Sequence, residues 1–139
     1  MTPSPPEQRN PYKGGPPRAW IRVRLLAPNG VAEDVDLHAD TGCPLPVIIG
    51  VTDLRRFARR VAPALPTNYG LMHGGTVRVI IPALGFDRIL LTYGSDTAVA
   101  AVRQSHPDFA GLVGLPFLRL MEYGGNDTWL WIRLAAATP

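Results

Sequence analysis

The sequence predicts a mainly β domain, a closed or nearly closed β-barrel carrying one or two short helices. Two observations lead there. Apolar residues recur at period 2 in short runs, the signature of half-buried strands. The runs are bounded by glycine and proline turns, and the 139 residues hold 14 glycines and 15 prolines. Many short strands punctuated this way favour barrels and sandwiches.

A chain of this length makes one domain and can bury about two-thirds of its unfolded surface. Its hydrophobic fraction of 46% is ordinary for a globular domain. Cys43 is the single cysteine, which excludes an intrachain disulfide. With three scattered histidines it also excludes the familiar zinc spacings. No metal or other cofactor is therefore expected. The opening Met1-Thr2-Pro3-Ser4-Pro5-Pro6 has no apolar core of a signal peptide, and no run approaches the ~20 apolar residues of a membrane helix. A cytoplasmic setting without a membrane partner is expected. The net charge of +3 is too small to imply nucleic acid.

Residues 1–18 carry Pro3, Pro5, Pro6, Pro11, Pro16 and Pro17 with Gly14 and Gly15. They read as a flexible or extended arm, either a disordered tail or a segment that docks on a partner subunit. The folded domain is then 19–139. Trp20 to Leu26 reads as a strand with Trp20, Arg22 and Arg24 on one face. Pro28-Asn29-Gly30 is a turn, leading to a second arm from Val31 to Asp40. In that arm Val35, Leu37 and Ala39 share one side, and Asp36, His38 and Asp40 the other. Asp40-Thr41-Gly42 then places a carboxylate at a strand end on a glycine-assisted turn. A group held there is rigid and faces outward, which suits chemistry better than packing.

Val47 to Ile49 is a short buried strand, broken by Gly50. Val51, Leu54, Phe57, Ala58 and Val61 fall at helical spacing, opposite Arg55, Arg56, Arg59 and Arg60. This predicts an amphipathic helix of about three turns, ended by Pro63 and Pro66. The arginines are expected on a solvated face, with a phosphate-binding stripe as the alternative. Asn68 to Gly75 contains three glycines and reads as a mobile hairpin tip. Thr76 to Ile81 and Phe86 to Tyr93 are strands joined through Pro82 to Gly85. Gly94 to Thr97 is a turn, and Ala98 to Val102 a further strand. Leu112-Val113-Gly114 precedes a short helix from Leu115 to Met121. Gly124 to Asp127 turns the chain into a last strand, Thr128 to Leu134. Trp129 and Trp131 share one face of it, either at a subunit interface or packed under the helix.

The triplet Asp40-Thr41-Gly42, closing the second arm of a hairpin, resembles the retropepsin-like aspartic proteases, the single-lobed kind that work as homodimers. Leu112-Val113-Gly114, about 70 positions later and just before a helix, is similar to the second passage of that family. The resemblance implies an acid-protease-type β-barrel hydrolysing peptide bonds, with a second copy of the chain and a peptide or protein substrate as partners. It makes Asp40, Thr41 and Gly42 catalytic. Thr41 would bond across the two-fold axis, and Gly42 would permit the tight turn and offer its N–H to the carboxylate. Gly70, Leu71, Met72, His73, Gly74 and Gly75 would be the flap over the substrate, with Leu71 and Met72 exposed at its tip. Leu112, Val113 and Gly114 would line the cleft on a strand threaded behind the catalytic loop. Cys43 departs from the usual Ala or Ser and makes the site oxidisable.

Such chemistry needs two carboxyls sharing a proton, and the chain offers one. Asp96-Thr97-Ala98 looks like a decayed second copy, but 56 positions from Asp40 to Asp96 leave no room for a repeated lobe. The second carboxyl must therefore come from a second chain. Two rival readings stand beside this one. The first is a catalytically silent dimeric module that binds peptides or partner proteins. The second is a thiol enzyme with Cys43 as nucleophile and His38, His73 or His106 as base. Asp36, on the same strand face as Asp40, reads as a neutral control position.

Overall fold

The computed structural model describes residues 5–135. In chain order the elements are β1 (Glu7–Pro11), β2 (Trp20–Leu26), β3 (Ala32–Asp40), β4 (Val47–Ile49), α1 (Val51–Phe57), β5 (Ala58–Thr67) and β6 (Gly70–Ile81). After a single 3-10 turn at Pro82–Leu84 come β7 (Phe86–Gly94), α2 (Asp96–Arg103), β8 (Phe109–Gly114), α3 (Leu115–Leu118), β9 (Glu122–Gly125) and β10 (Trp129–Arg133). Six strands run in the order β2-β3-β8-β4-β7-β6, and β2 pairs with β6 to close the barrel the sequence predicts. β5 extends this sheet as an outer strand on β6, and β1-β10-β9 form a separate three-stranded sheet.

The period-2 pattern decides what fills the barrel. Ile21, Val23 and Leu25 of β2 point in, while Arg22 and Arg24 lie outside against Asp36 and Asp34. Leu37, Val47, Ile49, Val77, Val79, Ile81 and Val113 complete the core from the other strands. β4 is buried on both faces. Ile48 points away from the barrel into a second cluster with Met72, Tyr93, Ala98 and Leu112. That explains why β4 is a continuous apolar run instead of an alternating one.

Four sequence expectations change. The proline-rich arm is not loose where it is described. Glu7–Pro11 pairs antiparallel with β10, and the Gln8 side chain donates to the Arg22 carbonyl and accepts from the Arg22 N–H. Gly15 N–H donates to the Ser105 carbonyl at 2.9 Å. The arm thus docks on its own chain, because β10 offers a vacant edge and Pro11 ends the strand where a missing N–H costs little. Pro3 lies outside the described residues.

The helix after Gly50 stops at Phe57, and Ala58 already has extended backbone, with ψ 131°. Pro63 and Pro66 push the residues before them toward extended conformations, and β6 supplies a pairing partner. As β5 pairs with β6 alone, its prolines leave no ladder donor unmet on the far side.

Ala98 to Val102 is helical, not a strand. The Ser95 hydroxyl accepts from Ala98 N–H at 3.1 Å, an N-cap in front of an alanine-rich run. Asp96 serves structure too: its carboxylate accepts from Val51 N–H at 3.0 Å. Finally, α3 covers only Leu115–Leu118 of the span expected to reach Met121.

Trp131 packs against Gly124, where a side chain would run into the indole. Arg133 and Arg9 stack over Trp131 and Trp129, each 4.7 Å from the ring centroid. No helix among the described residues is long and apolar enough to cross a membrane.

Candidate active site

β3 delivers Asp40 to its position. It runs parallel to β8, with Ala39 beside Val113 and Asp40 beside Gly114. β8 is also antiparallel to β4. The chain therefore leaves β3 at Asp40, passes over the end of β8 and returns as β4, so that β8 is threaded through the bend. The close approach requires glycine. A side chain at Gly114 would overlap the carbonyl oxygens of Cys43 and Leu45, and one at Gly111 would overlap that of Ile48. Hydrogen bonds from Gly114 N–H to the Pro46 carbonyl and from Leu115 N–H to the Cys43 carbonyl, both 3.0 Å, pin the bend to β8.

Within the bend Cys43 N–H closes a turn on the Asp40 carbonyl at 3.1 Å. Gly42 N–H donates to Asp40 Oδ1 at 2.9 Å. Gly42 is not in the left-handed region. It is small for another reason: a Cβ there would sit 3.2 Å from that same Oδ1. Thr41 is exposed, and its hydroxyl has no hydrogen-bond partner among the described residues.

Asp40 faces a cleft of about 330 Å³. Its walls are Gly42, Cys43 and Pro44 of the bend, His38 and Leu112 of the paired strands, and Ala98, Ala101 and Val102 of α2. Arg18, Ser105 and Tyr69 complete the rim. A second hollow of about 340 Å³ adjoins it between the bend and the β5–β6 hairpin, sharing Cys43, Pro44, Ile48 and Tyr69. The hairpin tip thus overhangs the Asp40 bend.

The tip differs in detail from the sequence reading. Its turn is Thr67 to Gly70. Gly70 takes a positive φ of 90°, and Thr67 Oγ1 accepts from Tyr69 N–H and donates to the Gly70 carbonyl. Leu71 is exposed at 65%, but Met72 is 1% exposed and joins the second core cluster. His73 faces a different groove, against α1. Gly74 and Gly75 are not tip residues; they are buried in the hairpin stem, where Ala58, Arg60, Ala62 and Pro63 leave no space for a Cβ. Of the three cleft residues expected on β8, Leu112 faces the cleft. Val113 points into the barrel and Gly114 backs the bend. Sequence reasoning missed Arg18, Tyr69 and the α2 wall. The Asn68–Gly70 turn signal was sufficient to place Tyr69 at the tip; α2 was hidden by its misreading as a strand.

Three neighbouring groups complete the electrostatics. His38 Nδ1 is buried without a hydrogen-bond partner. Burial pushes its pKa below the ordinary histidine value, while the Asp40 charge opposes that shift. Burial pushes the Cys43 thiol up, and its Sγ donates to the Leu45 carbonyl at 3.6 Å. No histidine bonds to this thiol, and His106 Nδ1 is engaged by Asp108 N–H. The raised thiol and the lack of a hydrogen-bonded base among the described residues do not favour the thiol reading. Asp36 is not a neutral position. It is 9% exposed and bonded to Lys13 Nζ at 2.6 Å and Arg22 Nε at 2.7 Å. Burial acts to raise its pKa, but the hydrogen bonds and charges of Arg22 and Lys13 hold it below the usual carboxylate value.

The described residues contain no group of three or more His, Cys, Asp or Glu placed to hold a metal ion. Compared with family models, with curated proteins and with solved structures, the chain has no match in any of the three.

Proposed function

We propose that the chain is a retropepsin-like aspartic endopeptidase that hydrolyses peptide bonds as a homodimer, one Asp40 from each chain activating water. One observation carries the reading. A single carboxylate at a strand end is held by Gly42 N–H on a glycine-backed bend and faces a cleft overhung by a hairpin tip. A catalytic carboxylate must be fixed to within a fraction of an ångström, and a bend locked onto β8 does this.

In the proposed dimer the two Asp40 carboxyls lie about 3 Å apart and share one proton, since both cannot ionise at that distance. The ionised carboxyl takes a proton from the water as its oxygen attacks the peptide carbonyl carbon. The protonated carboxyl gives its proton to the developing oxyanion. When the tetrahedral species collapses, the C–N bond breaks, the amine leaves with a proton from the first carboxyl, and a hydroxyl of the diol returns its proton to the second carboxyl, which restores the pair with one shared proton. The exposed Thr41 and Gly42 suit a two-fold contact that brings the bends together. Substrate is an extended peptide, its side chains in the two hollows on either side of Tyr69. A reducing, cytoplasmic setting accords with a lone thiol beside the site.

A second reading is a silent dimeric module that binds peptides without cutting them. Arg18 favours it: a guanidinium on the cleft rim can hold a peptide carboxylate with no chemistry at all. The deciding experiment is peptide cleavage across a dilution series, with sedimentation velocity on the same samples. A shared site makes specific activity fall as dimer is lost. Constant specific activity in a monodisperse monomer would refute it, and binding without turnover at every concentration would favour the silent module.

A further inference from the structure

We propose that the groove between α1 and β5 is a docking site for an acidic, amphipathic peptide segment of a partner protein. The sequence places four arginines on one face of a single helix; the chain folds otherwise. With α1 ending at Phe57, Arg59 and Arg60 lie on β5, and together with Arg55 of α1 they line a concavity of about 560 Å³. That volume lies in the range of ligand-binding pockets.

The charges around it are unbalanced. Arg56 is neutralised by Glu33 at 2.9 Å and Asp53 at 3.4 Å. Arg55, Arg59 and Arg60 have neither a carboxylate nor a hydrogen-bond partner among the described residues, and no acidic side chain lines the groove. By contrast, Arg22, Arg24, Arg78 and Arg133 are each paired with a carboxylate. Guanidiniums lining one groove without counter-charges form a positive field that attracts carboxylates.

Between the arginines the surface is aliphatic. Ala58, Ala62 and Ala64 contribute to it, and Val61 is 92% exposed. A small inorganic anion would leave that surface uncovered; a peptide alternating acidic and aliphatic side chains would cover it and meet the arginines. Nucleic acid fits less well, because no Phe, Tyr or Trp lines the groove to stack a base. Pairing of the peptide backbone with the β5 edge is opposed by Pro63, Pro66 and two register irregularities. The occupant is therefore held by its side chains. This inference does not depend on the peptidase reading, since an inert chain would dock the same segment.

The test is fluorescence anisotropy of the intact chain with a labelled peptide alternating Glu and Leu. A Gln/Leu peptide, inorganic phosphate as competitor and a labelled single-stranded oligonucleotide accompany it. The triple variant R55Q/R59Q/R60Q empties the groove of charge. R9Q/R24Q/R88Q removes equal charge elsewhere and controls for bulk attraction. The acidic peptide should bind, weaken with added salt, and lose about tenfold or more in affinity only in the groove variant. The proposal is overturned if both variants weaken binding equally, or if the Gln/Leu peptide binds as well. It is also overturned if phosphate alone displaces the peptide at comparable affinity, or if the oligonucleotide binds more tightly and loses affinity in the groove variant.

Discussion

The backbone N–H of Gly42 donates to Oδ1 of Asp40 at 2.9 Å, so the residue that turns the chain also orients the carboxylate. The bond spans two residues and needs no distant partner. The bend that carries it does: β8 supports it from behind, through contacts that only glycine at position 114 allows. The geometry of Asp40 therefore depends on a strand some seventy positions away in sequence.

That dependence makes Gly114→Ala a severe change. The added methyl meets the backbone carbonyls of Cys43 and Leu45, not the end of a flexible side chain. The bend or β8 must move, at a cost of about 3 kcal/mol or more. Gly15→Ala is the comparison, since a Cβ there has nothing within 4 Å. Urea denaturation of both variants checks this. A Gly114→Ala chain as stable as Gly15→Ala would show that β8 does not press on the bend.

Asp36→Asn should destabilise the chain by about 1–3 kcal/mol at neutral pH, because Lys13 and Arg22 lose the carboxylate between them. The figure stays modest because the Arg22 side chain is half exposed. The folded pKa of Asp36 is depressed. Its contribution is thus complete above the unfolded value near 4 and is lost as pH falls through the folded value. The gap between parent and variant should be widest near pH 7 and close below about pH 4. Urea midpoints at several pH values measure it, and a gap independent of pH would contradict the assignment.

His38 titrates with the same sign, at higher pH. Burial lowers its folded pKa, so the unfolded chain binds the proton first as pH drops below about 6.5. Stability then falls with pH from that point down to the folded value, with a slope of at most about 1.4 kcal/mol per pH unit. His38→Gln should flatten this part of the profile while leaving stability above pH 7 within about 1 kcal/mol. Equal slopes in parent and variant would mean that His38 is not the group responsible.

Much of the barrel was legible because it depends on local alternation. The hairpin of Trp20 to Asp40 and the strands flanking Pro82 to Gly85 follow from period 2 and turn chemistry, and Val47 to Ile49 from an unbroken apolar run. The errors fell where two periods fit equally well. Val51 to Val61 satisfies helical spacing, and only pairing with β6 draws Ala58 onward into β5. Ala98 to Val102 is short and apolar in either form, and the Ser95 cap decides for helix. At the site, Asp40 and Gly42 were readable because their relationship is local. Arg18 and the α2 wall were not, since the cleft gathers them from separate parts of the chain. Asp36 looked interchangeable until the arm brought Lys13 onto it.

Asp40→Asn is the most direct test of the central claim. The change keeps size and the acceptor oxygen for Gly42 N–H but removes the charge and the shared proton. Cleavage of a peptide library should fall by about 10⁴ or more, since both halves of the dyad are lost together. Sedimentation and circular dichroism should be unchanged. A variant of unaltered fold that cleaves at the parent rate would contradict the assignment of Asp40 as the residue that activates water.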